Sequence, residues 1–170
     1  PKTDSFKLWS EKLSSYADSE IFLKEKAYWQ QVESVEVFPI PRDFEVADNY
    51  YKNIRDVSFS LGEEETGQLL TKVNQAFKTE INDILLTALA LGIKKTFGQS
   101  RVLIALEGHG REEILEEIDT KRTVGWFSSI YPVLLDISPN NPGQQVKAIK
   151  ETLRQIPNKG IGYGILKYLT

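Results

Sequence analysis

Apolar residues near the start of the chain recur every three or four positions, which predicts a short amphipathic helix. Its apolar stripe consists of Phe6, Trp9, Leu13 and Tyr16. Asp4 and Ser5 are both suited to cap this helix, and Ser19 is suited to cap a second one over residues 20–32. Pro39 and Pro41 then begin a polar connector that runs to residue 49.

From residue 50 the pattern changes. The alternating apolar residues of 57–61 predict a half-buried strand. Gly62 and three glutamates open a helix, and a longer helix is predicted over 80–97, with Thr79 as its cap and Gly98 as its end. Because no charged residue occurs from 84 to 93, we expect this long helix to be buried nearly all round.

Two apolar runs, 102–106 and 126–137, predict strands, and Pro132 places the second at an edge or a bulge. A last helix is predicted to begin at Asn141-Pro142 and to run to about residue 156. The glycine-rich stretch 157–164 is interpreted as a loop. Helices mixed with strands give an α/β fold class.

Composition narrows the class of protein. The 170 residues suffice for one domain or for one half of a two-lobed enzyme. A net charge of −3 with scattered basic residues argues against nucleic-acid binding, and no apolar stretch is long enough to span a membrane. The chain has no cysteine, which favours a cytoplasmic location. Since it begins at Pro1 and has no methionine, we interpret it as a segment of a longer polypeptide.

A compact acid/base cluster follows the first predicted strand. Glu107, His109 and Arg111 alternate with two glycines, and His109 is the only histidine. A carboxylate just beyond an apolar strand is a candidate for partial burial and proton transfer; the alternative is a surface glutamate paired with Arg111. His109 either shares in proton transfer, orients Glu107 by a hydrogen bond, or is structural.

Other kinds of site have weaker support. Arg111 and Arg122 are suited to an anion, although paired surface arginines are the commoner outcome. One histidine without cysteine gives no metal-ligand spacing, and Ser128 lies in no nucleophile elbow. The glycines around Tyr163 would allow a substrate arm to approach, but a plain surface loop is an equal alternative.

Four segments, taken in order, resemble the epimerization domain of nonribosomal peptide synthetases, a relative of the condensation domain. They are Asp83-Ile-Leu-Leu-Thr-Ala-Leu-Ala90, Glu107-Gly-His-Gly-Arg-Glu112, Arg122-Thr-Val-Gly-Trp-Phe-Ser-Ser-Ile-Tyr-Pro132 and Pro157-Asn-Lys-Gly-Ile-Gly-Tyr-Gly164. The resemblance covers essentially the whole chain. It implies a chloramphenicol-acetyltransferase-like fold with two lobes, of which 1–49 would be the interlobe linker and helices and 50–170 the C-terminal lobe.

The resemblance also implies a reaction, the inversion of the α-carbon of an aminoacyl or peptidyl thioester. The substrate would be carried on the phosphopantetheine arm of a peptidyl carrier domain, with no cofactor bound directly and no metal. Glu107 would be the acid/base on one face. His109 and Arg111 would shape that end of the channel, with Tyr163 in a supporting role, while Trp126 would line the channel or pack beneath it, core packing being the commoner fate of a tryptophan.

Two motifs of that family are absent from the sequence. No His-His-x-x-x-Asp-Gly precedes residue 83, and no Phe-Asn-Tyr-Leu-Gly follows the Tyr163 segment. We therefore expect a C-terminal lobe that needs the N-terminal lobe of the same domain and is inactive alone, with a downstream condensation domain as a further partner. The alternatives are a lobe of a peptide-bond-forming condensation domain and a noncatalytic module that docks a carrier domain; a small hydrolase is disfavoured because no nucleophile and base pair is evident.

Overall fold

The computed structural model describes residues 2–45, 50–115 and 117–170. Helix α1 spans Phe6–Tyr16 and begins where the Ser5 hydroxyl accepts the Leu8 N–H at 3.1 Å. Ser19 caps α2 (Glu20–Leu23) in the same way, and α3 spans Glu25–Glu33. Both predicted serine caps are confirmed, and the helix predicted over 20–32 is divided at Lys24. The end of the predicted connector, 46–49, lies outside the described residues.

The strand predicted over 57–61 is not formed. This stretch is irregular after a short 3-10 turn at Tyr51–Asn53, and the Val57 and Phe59 side chains are 95% and 89% exposed. Alternation produces a strand only where a partner strand and a buried face exist, and the described residues supply neither here. The next helix is confirmed as α4 (Glu63–Gln68) and α5 (Asn74–Phe77), joined by a π-helical turn at Leu69–Val73.

The long helix α6 spans Ile81–Phe97 and ends at Gly98, as predicted. Its cap is Glu80 rather than Thr79, because the Asp83 carboxylate accepts the Glu80 N–H at 2.8 Å. The prediction of burial all round is wrong: its leucines at 85, 89 and 91 are more than one-third exposed. The buried positions 83, 87, 90 and 93 form a single stripe at helical spacing.

The strands β1 (Arg101–Gly108) and β2 (Ser129–Asp136) form a two-stranded sheet. Relative to the predictions, β1 extends two residues further and includes Glu107, whereas β2 begins only after Ser128. Because each strand of a two-stranded sheet has one open edge, Pro132 is accommodated as expected of an edge strand.

The C-terminal part of the chain is more helical than predicted. Helix α7 (Pro142–Gln155) is confirmed, a 3-10 turn follows at Pro157–Gly160, and α8 spans Ile161–Tyr168 where a loop was expected. Two glycines inside α8 cost about 1 kcal/mol each in helix propensity. Burial of Ile161 and Ile165 against α1 and Phe22 offsets that cost.

The chain forms two compact units, each assembled from separate stretches. The first contains Pro1–Val37, Leu103–Leu135 and Glu151–Thr170; the second contains Phe38–Val102 and Asp136–Lys150. In the first unit the core gathers Leu13, Ala17 and Phe22 with the two isoleucines of α8. In the second, Ile137 N–H donates to Ser100 O at 2.9 Å. All five predicted site residues belong to the first unit; the division at residue 49 stays a prediction.

Candidate active site

Glu107 is the last residue but one of β1, and its side chain is exposed. Alternation along the strand places it on the same exposed face as Ala105. The expected partial burial is therefore not found. Within 2–45, 50–115 and 117–170 the Glu107 carboxylate forms no hydrogen bond or ion pair, so the alternative pairing with Arg111 is also not formed.

The segment Gly108–Glu112, here called the histidine turn, requires a glycine at position 110. Gly110 has a φ of 64°, and a Cβ atom built on it would lie 1.6 Å from the Phe127 carbonyl oxygen. Only glycine tolerates both the left-handed backbone and this approach. Gly110 therefore allows the histidine turn to approach the backbone of Phe127 closely.

His109 has contacts at both ring nitrogens, and neither contact is with Glu107. Its Nδ1 accepts the Arg111 N–H at 2.9 Å, and its Nε2 lies 3.1 Å from Glu112 Oε1. The hypothesis that His109 orients Glu107 by a hydrogen bond is not supported by this geometry. The ring instead connects two residues of its own turn.

Arg111 holds the backbone of the loop that leads to β2. Its guanidinium donates to the carbonyl of the buried Thr120 and, at 2.9 Å, to the Thr123 carbonyl. The guanidinium carbon also lies 3.9 Å from the centre of the Phe127 ring, a cation–π distance. The Arg111 guanidinium is therefore engaged by backbone carbonyls and by the Phe127 ring, whereas Arg122 is exposed.

Trp126 does not pack in a core, contrary to the commoner expectation. Its side chain is 83% exposed, whereas its neighbour Phe127 is 5% exposed. The Phe127 ring packs edge-on against Phe6 and Trp9, with ring centres 5.0 and 4.9 Å away. The local backbone that buries Phe127 leaves the Trp126 side chain in solvent. The role of Trp126 in lining a channel stays a prediction.

Tyr163 lies in a different environment from Glu107. Its hydroxyl donates to Glu33 Oε1 at 2.9 Å, and its ring centre lies 5.3 Å from that of Trp29. Burial and the hydrogen bond to Glu33 raise the pKa of Tyr163. It lines a mostly apolar cavity of about 700 Å³, and among the described residues neither Glu107 nor His109 contributes to the lining of that cavity.

Two charged side chains close to His109 were not predicted as site residues: Glu112, within the histidine turn, and Lys159, from a distant segment. The Glu112 side chain is 12% exposed and lies between His109 and Lys159, whose Nζ is 3.6 Å from Glu112 Oε2. Burial, and secondarily the negative charge of Glu112, raises the pKa of Tyr131. The three-residue spacing of His109 and Glu112 could have predicted their contact. No spacing predicts the contact of Lys159 with Glu112, because Lys159 belongs to a distant segment.

A buried carboxylate holds that distant segment. Glu25 is 7% exposed, accepts the Asn158 amide N–H at 2.5 Å and lies 3.4 Å from Trp29 Nε1. Asn158 and Lys159 both have left-handed backbones, with φ of 42° and 49°. The hydrogen bond to Glu25 therefore holds Asn158 in a left-handed turn, and this turn determines the backbone position of Lys159.

The described part of the chain contains no group of three or more metal-ligating side chains close enough to hold an ion. Within the same residues, no helix combines the length and the apolar character required to cross a bilayer.

Comparison with known proteins settles the family. A family model described as the condensation domain matches residues 1–170. The chain belongs to this family. It is 52% identical to surfactin synthase subunit 1 of Bacillus subtilis and 53% identical to gramicidin S synthase 1 of Brevibacillus brevis, each over 99% of its length. It spans only 5% and 16% of those two relatives.

Solved structures of this family confirm the fold. The epimerization domain from the third module of tyrocidine synthetase B matches with a TM-score of 0.92 and 48% identity, over 99% of this chain and 38% of that one. The first condensation domain of the calcium-dependent antibiotic synthetase matches with a TM-score of 0.63 and 18% identity, over 94% and 35%. This chain, a member of the condensation-domain family, thus has the chloramphenicol-acetyltransferase-like fold. The predicted resemblance to an epimerization domain is confirmed.

Proposed function

We propose that this chain is part of an epimerization domain, which inverts the α-carbon of an aminoacyl or peptidyl group held as a thioester on a peptidyl carrier domain. The observation that carries the proposal is the 48% identity and TM-score of 0.92 to an epimerization domain. The condensation domain, at 18% identity, supports only the shared fold. Condensation is therefore the weaker alternative.

Glu107 is the residue to which we assign proton transfer on one face of the α-carbon. Its carboxylate oxygens are exposed and, within the described residues, free of hydrogen bonds and ion pairs. A general base needs such an unengaged lone pair within hydrogen-bond reach of the proton that it removes. The strand and the histidine turn hold its backbone, so the carboxylate can meet a substrate without first breaking an internal contact.

The reaction needs a second group on the opposite face. Glu107 would remove the α-proton, the electron pair would be delocalised onto the thioester carbonyl as an enolate, and a proton would return from the other side. His109 is the only histidine, and Glu112 and the Arg111 N–H occupy its ring nitrogens. We therefore assign the second face to the N-terminal lobe, and expect this chain to be inactive alone.

The substrate carrier follows from the same proposal. The phosphopantetheine arm of the carrier domain would deliver the thioester, so the arm belongs to the partner and is not a cofactor of this chain. A downstream condensation domain is the expected consumer of the inverted product.

The test is exchange of the α-proton in D2O on an aminoacyl carrier protein, followed by mass spectrometry. The samples are this chain alone, this chain with a separately supplied N-terminal lobe, and the same mixture with Glu107→Gln. We expect exchange only in the complemented wild-type sample, and a loss of about 10²–10⁴-fold with Glu107→Gln, the usual contribution of a general acid or base.

Glu113→Gln is the matched control, because Glu113 is a nearby exposed glutamate paired with Lys121 at 3.1 Å. It should leave the exchange rate unchanged. Exchange by the isolated chain would show that the assignment of two separate faces is wrong. Carrier binding and lobe association without any exchange would favour the noncatalytic docking module.

A further inference from the structure

The two ring nitrogens of His109 have different hydrogen-bonding roles. Nδ1 accepts the backbone N–H of Arg111 at 2.9 Å, so Nδ1 carries no proton in this arrangement. The proton of the neutral ring is then on Nε2, which lies 3.1 Å from Glu112 Oε1. The hydrogen bond from the Arg111 N–H therefore selects one of the two neutral tautomers, and the Glu112 carboxylate lies beside the nitrogen that carries the proton.

Glu112 is the less exposed partner in this cluster. Its side chain is 12% exposed, against 61% for His109 and 76% for Lys159. Its two oxygens face different groups, Oε1 toward the His109 ring and Oε2 toward Lys159 Nζ at 3.6 Å. A carboxylate is the side chain that offers an acceptor oxygen to each of two donors.

We propose that Glu112 is a positioning residue that holds His109 as the Nε2-protonated tautomer, and that His109 braces the turn after Glu107 instead of exchanging protons with it. The inference rests on the proposed function only in taking Glu107 as the catalytic carboxylate. Its geometric content, the fixed tautomer and its dependence on Glu112, stands independently of activity.

Glutamine at position 112 should not substitute for glutamate. It has one acceptor oxygen and one donor amide, so either Lys159 or His109 would face an N–H group. If the amide faces Nε2, the ring proton must move to Nδ1, and the hydrogen bond from the Arg111 N–H is lost. Removing the second donor with Lys159→Met frees the glutamine oxygen for His109, so the double variant should be rescued.

The experiment is NMR of the ¹⁵N-labelled 170-residue chain, in which the single histidine gives an unambiguous imidazole signal. We expect the wild-type ring to carry its proton on Nε2. Glu112→Gln should shift the tautomer ratio about tenfold, because the negative charge that faces Nε2 is removed. Glu112→Gln with Lys159→Met should restore the ratio, and the control Glu113→Gln should not change it.

A wild-type ring protonated on Nδ1 would overturn the proposal, and this arm needs no variant to fold. A Glu112→Gln ratio equal to that of wild type, in a chain with an unchanged backbone amide spectrum, would overturn it too. In the complemented exchange assay, Glu112→Gln should lower kcat without changing KM for the carrier protein. If Glu107→Gln leaves exchange intact while the tautomer still depends on Glu112, the proposed function fails and this inference stands.

Discussion

The histidine turn and the turn at Pro157–Gly160 are two motif segments that are held by opposite means. In the first, a charged side chain binds backbone groups: the Arg111 guanidinium donates to the carbonyls of Thr120 and Thr123. In the second, the backbone is left-handed at Asn158 and Lys159, and a buried carboxylate accepts from the Asn158 side chain. One turn depends on a cation that binds carbonyls, and the other on an anion that binds an amide.

The two turns also differ in which of their neighbouring side chains are engaged by other residues. Arg111 donates to carbonyls of the loop that leads to β2, whereas Glu107, four residues earlier, has exposed oxygens that no side chain engages in the described part of the chain. In the other turn, Glu25 accepts the Asn158 amide N–H, and the Lys159 ammonium lies 3.6 Å from Glu112 Oε2.

The largest expected effect is a failure of the histidine turn at Gly110. In Gly110→Ala the new Cβ would meet the Phe127 carbonyl oxygen at 1.6 Å in a left-handed backbone. A left-handed non-glycine residue costs about 1–2 kcal/mol and overpacking about 1–3 kcal/mol, so we expect a loss of about 2–5 kcal/mol. Urea unfolding followed by circular dichroism measures it.

Gly164→Ala is the matched control for that experiment. Gly164 lies inside α8, and a Cβ built on it meets nothing within 4 Å. Its replacement should stabilise the chain by about 0.4–1 kcal/mol, because alanine loses less backbone entropy on folding. Equal effects of the two substitutions would show that the contact with Phe127 does not constrain the turn.

A smaller effect is expected from Arg111→Lys, which keeps the charge and removes the planar fork. A lysine ammonium cannot donate to both carbonyls and stack on Phe127 in the same geometry. An unsatisfied buried carbonyl costs about 1–3 kcal/mol, so we expect a loss of about 2 kcal/mol in the same urea experiment. Arg122→Lys, at an exposed position, should stay within about 0.5 kcal/mol. An equal loss there would show that the contacts of Arg111 with the Thr120 and Thr123 carbonyls have no specific effect on stability.

Several features that depend on residues within four positions were predictable from the sequence, although the Glu80–Asp83 cap of α6 was not. The serine caps at Ser5 and Ser19 and the left-handed end of α6 at Gly98 are such local features, and all three are confirmed. They form because the hydrogen bonds of a helix end are satisfied by neighbours in sequence. The resemblance of the four motif segments also made the overall fold predictable, because it placed the chain in a family of known fold.

Features that depend on distant segments were not predictable. The alternation of 57–61 looked like a strand, but the described residues provide no partner strand there. Trp126 and Phe127 are both apolar, and Phe127 is the buried one because Phe6, Trp9 and Arg111, from other segments, pack against its ring. For the site, the assignment of Glu107, His109 and Arg111 stays a prediction: His109 contacts the Arg111 N–H and Glu112, and Glu107 has no hydrogen bond or ion pair with either residue of the cluster among the described residues.

The smallest expected effect tests the second turn. Glu25→Gln keeps the shape of the buried side chain but leaves one acceptor oxygen for two donors, Trp29 Nε1–H and the Asn158 amide. One hydrogen bond is lost while the cost of burying a charge is relieved, so we expect a net loss of about 1 kcal/mol in urea unfolding. Glu11→Gln, in an exposed pair with Lys7, is the control and should change stability by less than about 0.5 kcal/mol. A gain of stability with Glu25→Gln would mean that the turn holds Asn158 and Lys159 left-handed without the carboxylate, and that only the histidine turn depends on a buried charged group.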